Sequence, residues 1–286
     1  MTRKVFVSGA SGALGGRIAG HLLDAGVAVV AGARRLERIE PLRVRGAEAR
    51  RFDYDDPTLM RIAFEGCDTA VLVPTSAPVV DRVRQHYDAL TAAREACVAK
   101  VVFASFLPAT PESHFTVSPF MLFAEATVRQ SGMDWTILRD GLYLDPLADW
   151  VPEIVAMGRI PYPAGEGRVA YVTRDDLAEA IAQGALSDAA NGRLYRLTGP
   201  KAQGFVEIAG IISDVTGKPV LYDPMSEEDF ARLCEEPEAP DYLPTALASL
   251  YRAVAAGEFD LVTDDIEALT GRAPEDVESY LKRKYG

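Results

Sequence analysis

The chain has 286 residues, 48% of them hydrophobic, and carries 30 Lys and Arg against 42 Asp and Glu, a formal net charge of −12. This length and composition allow a full core in one large domain, or in one domain with a smaller second one, and exclude a fibre or a disordered tail. The acidic balance also argues against nucleic acid as a general partner.

Neither a membrane span nor a secretory leader is expected. Arg3 and Lys4 lead directly into a strand, and no apolar run is long enough to cross a bilayer. The cysteines, Cys67, Cys97 and Cys234, are too widely spaced for a disulfide framework or a zinc site, and the three histidines lack ligand spacing. We therefore expect a cytoplasmic protein that holds no metal and contacts no membrane.

The first element has the pattern of a phosphate-binding strand, turn and helix. A short apolar strand at residues 5–7 meets a glycine-rich turn, and apolar residues at helical spacing follow it. Gly9 would permit the tight turn, Gly12 the approach of a pyrophosphate, and Gly15 close packing of the helix on the sheet. The helix N-terminus offers N–H groups to phosphates, so the sequence predicts a dinucleotide site.

The second strand predicts which dinucleotide is preferred. It covers residues 27–31 and leads into Arg34 and Arg35, where an acidic residue would otherwise grip the ribose 2′-hydroxyl. Arg34 is placed to meet a 2′-phosphate with its planar fork, and Arg35 to lie along the adenine. We therefore expect NADP(H) over NAD(H). The alternative, that both arginines only solvate the strand end, stays open.

The next strands continue the alternation of strand and helix. Residues 48–52 form a third strand, and Asp53 after it can accept from the adenine amine or cap the following turn. A fourth strand precedes Pro74 and Thr75, which could pass along the cofactor, and a fifth ends at Ser105. Five such units predict an α/β fold with a Rossmann-type, doubly wound parallel sheet.

The alternation ends after a sixth strand at residues 135–139. We expect residues 1–145 to form an NADP-binding Rossmann domain, with residues 168–200 adding to its sheet. Residues 146–286 are expected to form a smaller, mostly helical domain that folds over the nicotinamide as a substrate lid.

Segments throughout the chain resemble the NmrA-like family of atypical short-chain dehydrogenases, including its quinone and triphenylmethane reductase members. The resemblance implies NADPH binding by a Rossmann domain. The segments are residues 5–16, 52–54, 85–105, 125, 131–139, 173–178, 251–258, 263–265 and 269–272.

The resemblance also implies roles by position. The pyrophosphate contacts would be Gly9, Ser11, Gly12, Ala13, Leu14 and Gly15, with Ala10 also counted among the cofactor-binding residues. Arg34 would hold the 2′-phosphate, and Asp53 with Tyr54 the adenine. The nicotinamide side would be lined by Val73, Pro74, Thr75 and Ser105, with Asp140, Gly141, Leu142 and Tyr143 reaching it from the sixth strand.

One departure from short-chain dehydrogenases limits the expected chemistry. Their Tyr-x-x-x-Lys positions fall at Val117 and Met121, neither of which can transfer a proton. A positioned acid or base is worth about 10²–10⁴-fold in rate, so oxidation of a simple alcohol is not expected. Hydride transfer to a quinone or cationic dye remains possible without this pair, because the positioning of donor and acceptor contributes most to its rate.

Aromatic residues in the later segments would make a flat apolar slot for such an acceptor. They are Phe106, Phe115, Phe120, Tyr143, Trp150 and Tyr162, each of which could instead pack in the core. Tyr143 and His114 are the candidate proton donors, although His114 also fits a surface loop.

Three functions remain open. The first is an NADPH-dependent reductase of a small aromatic or quinoid acceptor. The second is a non-catalytic NADP(H)-binding regulator, and the third is an isomerase or ketoreductase of a natural-product pathway. A monomer and a homodimer also stay open.

Overall fold

A computed structural model describes residues 3–235, 237 and 240–286. The chain divides into two compact units. Unit 1 consists of Met1–Phe106, Phe120–Arg139 and Arg174–Tyr195, and unit 2 of Leu107–Pro119, Asp140–Thr173 and Arg196–Gly286. The boundary that we predict at residue 145 stays a prediction.

The strands are β1 (Lys4–Val7), β2 (Ala28–Ala33), β3 (Glu48–Arg51), β4 (Thr69–Leu72), β5 (Lys100–Phe106), β6 (Asp134–Asp140), β7 (Arg159–Ile160), β8 (Arg168–Val169), β9 (Arg193–Leu197), β10 (Gln203–Gly204) and β11 (Leu221–Tyr222). The helices are α1 (Ala13–Asp24), α2 (Glu40–Val44), α3 (Pro57–Phe64), α4 (Val79–Glu95), α5 (Ser118–Arg129), α6 (Leu144–Asp149), α7 (Val151–Met157), α8 (Arg174–Leu186), α9 (Phe205–Thr216), α10 (Glu227–Leu233), α11 (Leu243–Ala255), α12 (Asp265–Thr270) and α13 (Val277–Tyr285). Two short 3-10 helices cover Leu36–Ile39 and Asp188–Ala190.

Seven strands form one sheet in the order β3-β2-β1-β4-β5-β6-β9. β1 pairs in parallel with β2 on one side and with β4 on the other, so Val5 lies opposite both Val29 and Thr69. The strand order therefore reverses beside β1, which is where open α/β sheets leave a crevice for ligands. The predicted doubly wound Rossmann-type sheet is confirmed.

The central strands are apolar because both of their faces are covered. Val5, Phe6 and Val7 of β1 have no exposed surface, and Phe103 of β5 is equally buried. Parallel sheets with helices on their faces require such continuous apolar runs rather than alternation.

A buried ion pair ties the last strands of unit 1 to α5. The Glu125 carboxylate has no exposed surface and receives Nε and Nη2 of Arg139, both at 2.7 Å. Ser105 donates its hydroxyl to the same carboxylate at 2.8 Å, and Arg129 lies 3.2 Å from it. One side chain therefore joins the ends of β5 and β6 to the helix between them.

Unit 2 is built around an aromatic cluster. Tyr162 is 5% exposed and stacks on Trp150 and on Tyr251, with ring centroids 5.4 and 4.3 Å away. Two short strand pairs flank this core, β7 with β11 and β8 with β10. β8 ends at Val169, and Val172 forms only an isolated bridge to Tyr143.

Replacing Glu125 should destabilise unit 1 strongly. We expect Glu125→Ala to lower the free energy of unfolding by about 3 kcal/mol, because Arg139 would keep a mostly buried charge without its partner. Urea denaturation measures this. Glu65→Ala is the matched control, since Glu65 pairs with Arg61 at the surface and its loss should cost about 0.5 kcal/mol. Equal losses for both variants would contradict the structural role of Glu125.

Candidate functional site

The turn after β1 has the predicted geometry. Gly9 has a φ of +59°, a conformation that favours glycine, and its carbonyl accepts from Gly12 N at 2.8 Å. A Cβ on Gly15 would overlap the carbonyl oxygen of Gly9. Any larger residue at position 15 would push the start of α1 away from the turn, so the two glycines together hold the helix against β1.

The N-terminus of α1 points its backbone donors out of this turn. Gly12 is the N-cap and offers no side chain to satisfy them, and the first turn contains no acidic residue. The first N–H groups of a helix have no partner within the helix, and they sit at the positive end of its dipole. This combination suits a phosphate.

A cleft of about 470 Å³ opens above the turn, and it is lined by the carboxyl ends of β1 to β4. Twelve residues predicted to bind the cofactor line it. They are Gly9, Ser11, Gly12, Ala13, Leu14, Gly15, Arg34, Asp53, Tyr54, Val73, Pro74 and Thr75. Ala10 is 3% exposed beneath the turn, and Arg35 is the N-cap of the 3-10 helix that follows β2. Neither lines the cleft.

The inner wall of the cleft is held by Tyr54. Its hydroxyl donates to Ser8 Oγ at 2.9 Å and to the Val73 carbonyl at 3.0 Å, while Val73 N donates to Ser8 Oγ at 2.8 Å. Burial raises the pKa of the Tyr54 phenol, and the bond to Ser8 only partly opposes that shift. Tyr54 therefore stays neutral and braces β1 against the end of β4.

The outer rim is a chain of hydrogen bonds that the sequence did not indicate. Thr75 donates to Gln85 Oε1 at 2.6 Å, Gln85 Nε2 donates to Asp55 at 3.0 Å, and Arg84 Nη2 donates to the same oxygen at 2.5 Å. The bonds from Gln85 and Arg84 lower the pKa of Asp55, which remains ionised. This chain connects the loop after β3 to the loop after β4.

Asp53 and Arg34 lie where the nucleotide's adenosine end was predicted. Asp53 Oδ1 accepts from the backbone N–H of Asp55 at 3.2 Å, so the capping alternative considered for Asp53 is present in the structure. The residue also lines the cleft, as does the exposed Arg34. The positive charge of Arg34 helps to lower the pKa of Asp55.

Ser105 and Phe120 are buried in unit 1, and Phe120 lines a small cavity together with Tyr54, Pro74 and Thr75. Ser105 is 2% exposed and uses its hydroxyl on Glu125, while Phe120 is 2% exposed and lies 5.9 Å below the Arg82 guanidinium. Phe106 is half-buried at the end of β5. Met121, which was predicted to stand at the position of the dehydrogenase lysine, is 6% exposed.

The remaining predicted residues belong to unit 2. Tyr143 donates its hydroxyl to Asp140 Oδ2 at 2.9 Å, and Gly141 and Leu142 between them are buried. Trp150 and Tyr162 are brought together as a stacked pair in the aromatic core. Phe115 and Val117 are 9% and 4% exposed.

His114 is paired with a carboxylate. Its Nδ1 lies 2.7 Å from Glu258 Oε1, its backbone N–H donates to the same oxygen at 2.9 Å, and Ser113 donates to Oε2 at 2.5 Å. Burial opposes ionisation of Glu258, but these bonds outweigh it and lower the pKa of that carboxyl. The His114 side chain is 51% exposed, in keeping with a surface loop.

No group of three His, Cys, Asp or Glu side chains in the described part of the chain could hold a metal ion. Among its helices, none is both long and apolar enough to cross a membrane.

Comparison with known proteins gives consistent matches. A family model described as NAD(P)H-binding matches residues 9–188. Quinone oxidoreductase 2 of Escherichia coli (strain K12) is 31% identical, over 90% of this chain and 90% of that protein. NAD(P)H azoreductase of Xenophilus azovorans is 26% identical, over 97% and 96%. The triphenylmethane reductase of Citrobacter sp., solved with NADP(H), superimposes with a TM-score of 0.89 at 28% identity, covering 98% of this chain and 99% of that one.

A methyl group on Gly15 should disrupt the turn. We expect Gly15→Ala to lower the free energy of unfolding by about 1–3 kcal/mol, because the Gly9 carbonyl oxygen occupies the space that the new Cβ needs. Gly210→Ala is the matched control within α9, where nothing lies within 4 Å, and it should stabilise the protein by up to about 1 kcal/mol. Urea denaturation of both variants measures the difference. A tolerated Gly15→Ala would contradict the close approach.

Proposed function

The chain belongs to the NAD(P)H-binding family and is an NAD(P)H-dependent oxidoreductase, and we propose that it transfers hydride from NADPH to a quinone or a similar conjugated acceptor. The observation that carries the proposal is the cleft at the point where the strand order reverses, with the glycine turn beneath it and Arg34 at one end. Names of the matched relatives, a quinone oxidoreductase and a triphenylmethane reductase, support the acceptor class.

In the proposed complex the cofactor is bound mainly by backbone. Its pyrophosphate lies over residues 9–15, where the N–H groups at the start of α1 meet it. The adenosine extends to Asp53 and Tyr54, and the 2′-phosphate meets the guanidinium of Arg34. Val73, Pro74 and Thr75 lie along the part of the cofactor that leads to the nicotinamide.

The proposed class of acceptor follows from the side chains at the expected positions of the dehydrogenase tyrosine and lysine. Val117 and Met121, where the resemblance implies the dehydrogenase tyrosine and lysine, are both apolar and buried. A quinone or a cationic triarylmethyl dye takes hydride into a delocalised product, so the barrier is lowered chiefly by holding donor and acceptor in contact. NADPH, when bound, supplies the hydride.

Acceptor reduction tests the proposed function directly. Purified protein is mixed with NADPH and a panel of quinones and cationic dyes, and absorbance is followed at the reduced-nicotinamide band. We expect consumption of NADPH with at least one conjugated acceptor and none with simple aliphatic ketones. Tight NADPH binding without consumption by any conjugated acceptor would overturn the proposal in favour of a regulator.

The choice of NADPH over NADH should depend on Arg34. Arg34→Ala removes one or more charge-assisted hydrogen bonds to the 2′-phosphate, each worth about 1.5–3 kcal/mol. We therefore expect NADPH binding to weaken by about 10- to 150-fold, with NADH binding nearly unchanged. Calorimetric titration with both cofactors measures this.

Arg35→Ala is the matched control for Arg34, because it removes the same charge one residue further along the chain. Since Arg35 was predicted to face the adenine, which both cofactors share, its loss should affect NADPH and NADH alike. Equal losses of the two cofactors in Arg34→Ala would show that the 2′-phosphate lies elsewhere.

A further inference from the structure

Asp140 is a buried acid held at a fixed place in unit 2. It is the last residue of β6, and its carbonyl accepts from Leu107 N at 2.9 Å. The next residue, Gly141, donates its N–H to the Leu197 carbonyl at 2.8 Å, and a Cβ there would lie 2.8 Å from the same oxygen. The backbone that carries the carboxyl group is therefore constrained on both sides.

The Asp140 carboxyl group is only half satisfied. The residue has no exposed surface, and Oδ2 is bonded to the Tyr143 hydroxyl at 2.9 Å. Within the described part of the chain, Oδ1 has no hydrogen-bond partner. An ionised carboxylate is very costly in such surroundings, whereas a neutral acid is not. Burial accordingly raises the pKa of Asp140 to about 8, although the Tyr143 bond opposes the shift.

Two influences act on the pKa of Asp140, burial and the bond from Tyr143. Asp145 on α6 and Tyr171 beside Val172 are titratable residues of the adjoining segments, and Arg139, the preceding residue, gives its guanidinium to Glu125. At neutral pH, Asp140 therefore keeps its proton.

Tyr143 is fixed beside Asp140 by its own backbone. It forms a parallel bridge with Val172, whose carbonyl accepts from Leu144 N at 2.8 Å and whose N–H donates to the Leu142 carbonyl at 3.1 Å. Its side chain is half-buried rather than enclosed. The phenol thus contacts the buried acid from a residue that is itself not fully enclosed.

We propose that Asp140 and Tyr143 form a proton relay, in which Tyr143 protonates the reduced acceptor and Asp140 replaces the proton that Tyr143 gives up. The relay rests on the proposed reductase function and on the expected approach of the acceptor to the end of β6. In this relay Tyr143 is the proton donor. Asp140 acts through Tyr143, as the reservoir that supplies the next proton.

The proposed steps balance in atoms and charge. NADPH gives hydride to a quinone, which leaves NADP⁺ and develops negative charge on a quinone oxygen while the hydride is being transferred. The Tyr143 O–H bond breaks as its proton joins that oxygen, and the Asp140 O–H bond breaks as its proton passes to the Tyr143 oxygen. The Asp140 carboxylate then takes a proton from water. The net change is quinone plus NADPH plus a proton, giving hydroquinone plus NADP⁺.

A cationic triarylmethyl dye separates this relay from hydride transfer. The dye cation becomes a neutral leuco product when it accepts hydride, and no proton is consumed. A quinone needs hydride and a proton. The ratio of quinone to dye reduction in single-turnover experiments therefore reports the relay, while effects on cofactor binding or folding alter both rates together.

The kinetic test compares this ratio for the wild type, Asp140→Asn and Tyr143→Phe from about pH 6 to about pH 10. In the wild type, we expect the ratio to fall above a pH of about 8, where Asp140 loses its proton. In each variant it should be lower by about 10²-fold or more and lose that pH dependence. Asp149→Asn, which removes an exposed carboxylate from α6, should keep the wild-type ratio. A ratio that is unchanged in Asp140→Asn would overturn the relay.

A second readout needs no acceptor and distinguishes failure of the relay from failure of the proposed function. In protein carrying ¹³C-carboxyl aspartate, NMR should show one resonance titrating near a pH of about 8 that disappears in Asp140→Asn. In Tyr143→Phe, the same resonance should titrate at a still higher pH, because the bond that favours ionisation is gone. An Asp140 carboxyl that titrates in the ordinary acidic range overturns the relay. The absence of reduction with any acceptor, alongside the expected titration, overturns the reductase and with it the relay's reaction.

Discussion

The contact between the Gly9 carbonyl and the bare Cα of Gly15 is the constraint on which the site depends. It lets the first helix start directly against the first strand, so the backbone donors of that helix face the crevice beside β1. Any side chain at position 15 would separate the helix from the strand and move those donors apart. The helix dipole acts over its first turn only, so such a separation would weaken the attraction for a phosphate.

The rest of the cleft is shaped by side chains that mostly bind one another. Tyr54 fixes the inner wall through Ser8, and Gln85 fixes the rim between Thr75 and Asp55. Within the cleft, Arg34 supplies a charge suited to one more phosphate. Such a preformed cleft would hold a cofactor in one orientation. Orientation of the reactants is a large contribution to the rate of a reductase of the proposed kind.

Local patterns were enough to predict the sheet and the turn. The spacing of Gly9, Gly12 and Gly15 reflects contacts within a single strand, turn and helix, so it can be read from neighbouring residues. The bond between Gln85 and Asp55 joins α4 to the loop after β3, thirty residues away in sequence, and no local pattern marks it. The family resemblance implied Ser105 on the nicotinamide side, and its place at a strand end could not reveal that the buried Glu125 takes its hydroxyl.

The buried acid at the end of β6 also links folding to proton uptake. In the unfolded chain Asp140 would ionise near its ordinary pKa of 3.8, whereas in the folded chain it does so at about 8. Between these values the native state holds a proton that the denatured state has released. This residue's contribution to native stability therefore declines as the solution becomes more alkaline through that interval and is level above it. The contribution of this buried proton to the free energy of unfolding is therefore greatest below neutral pH.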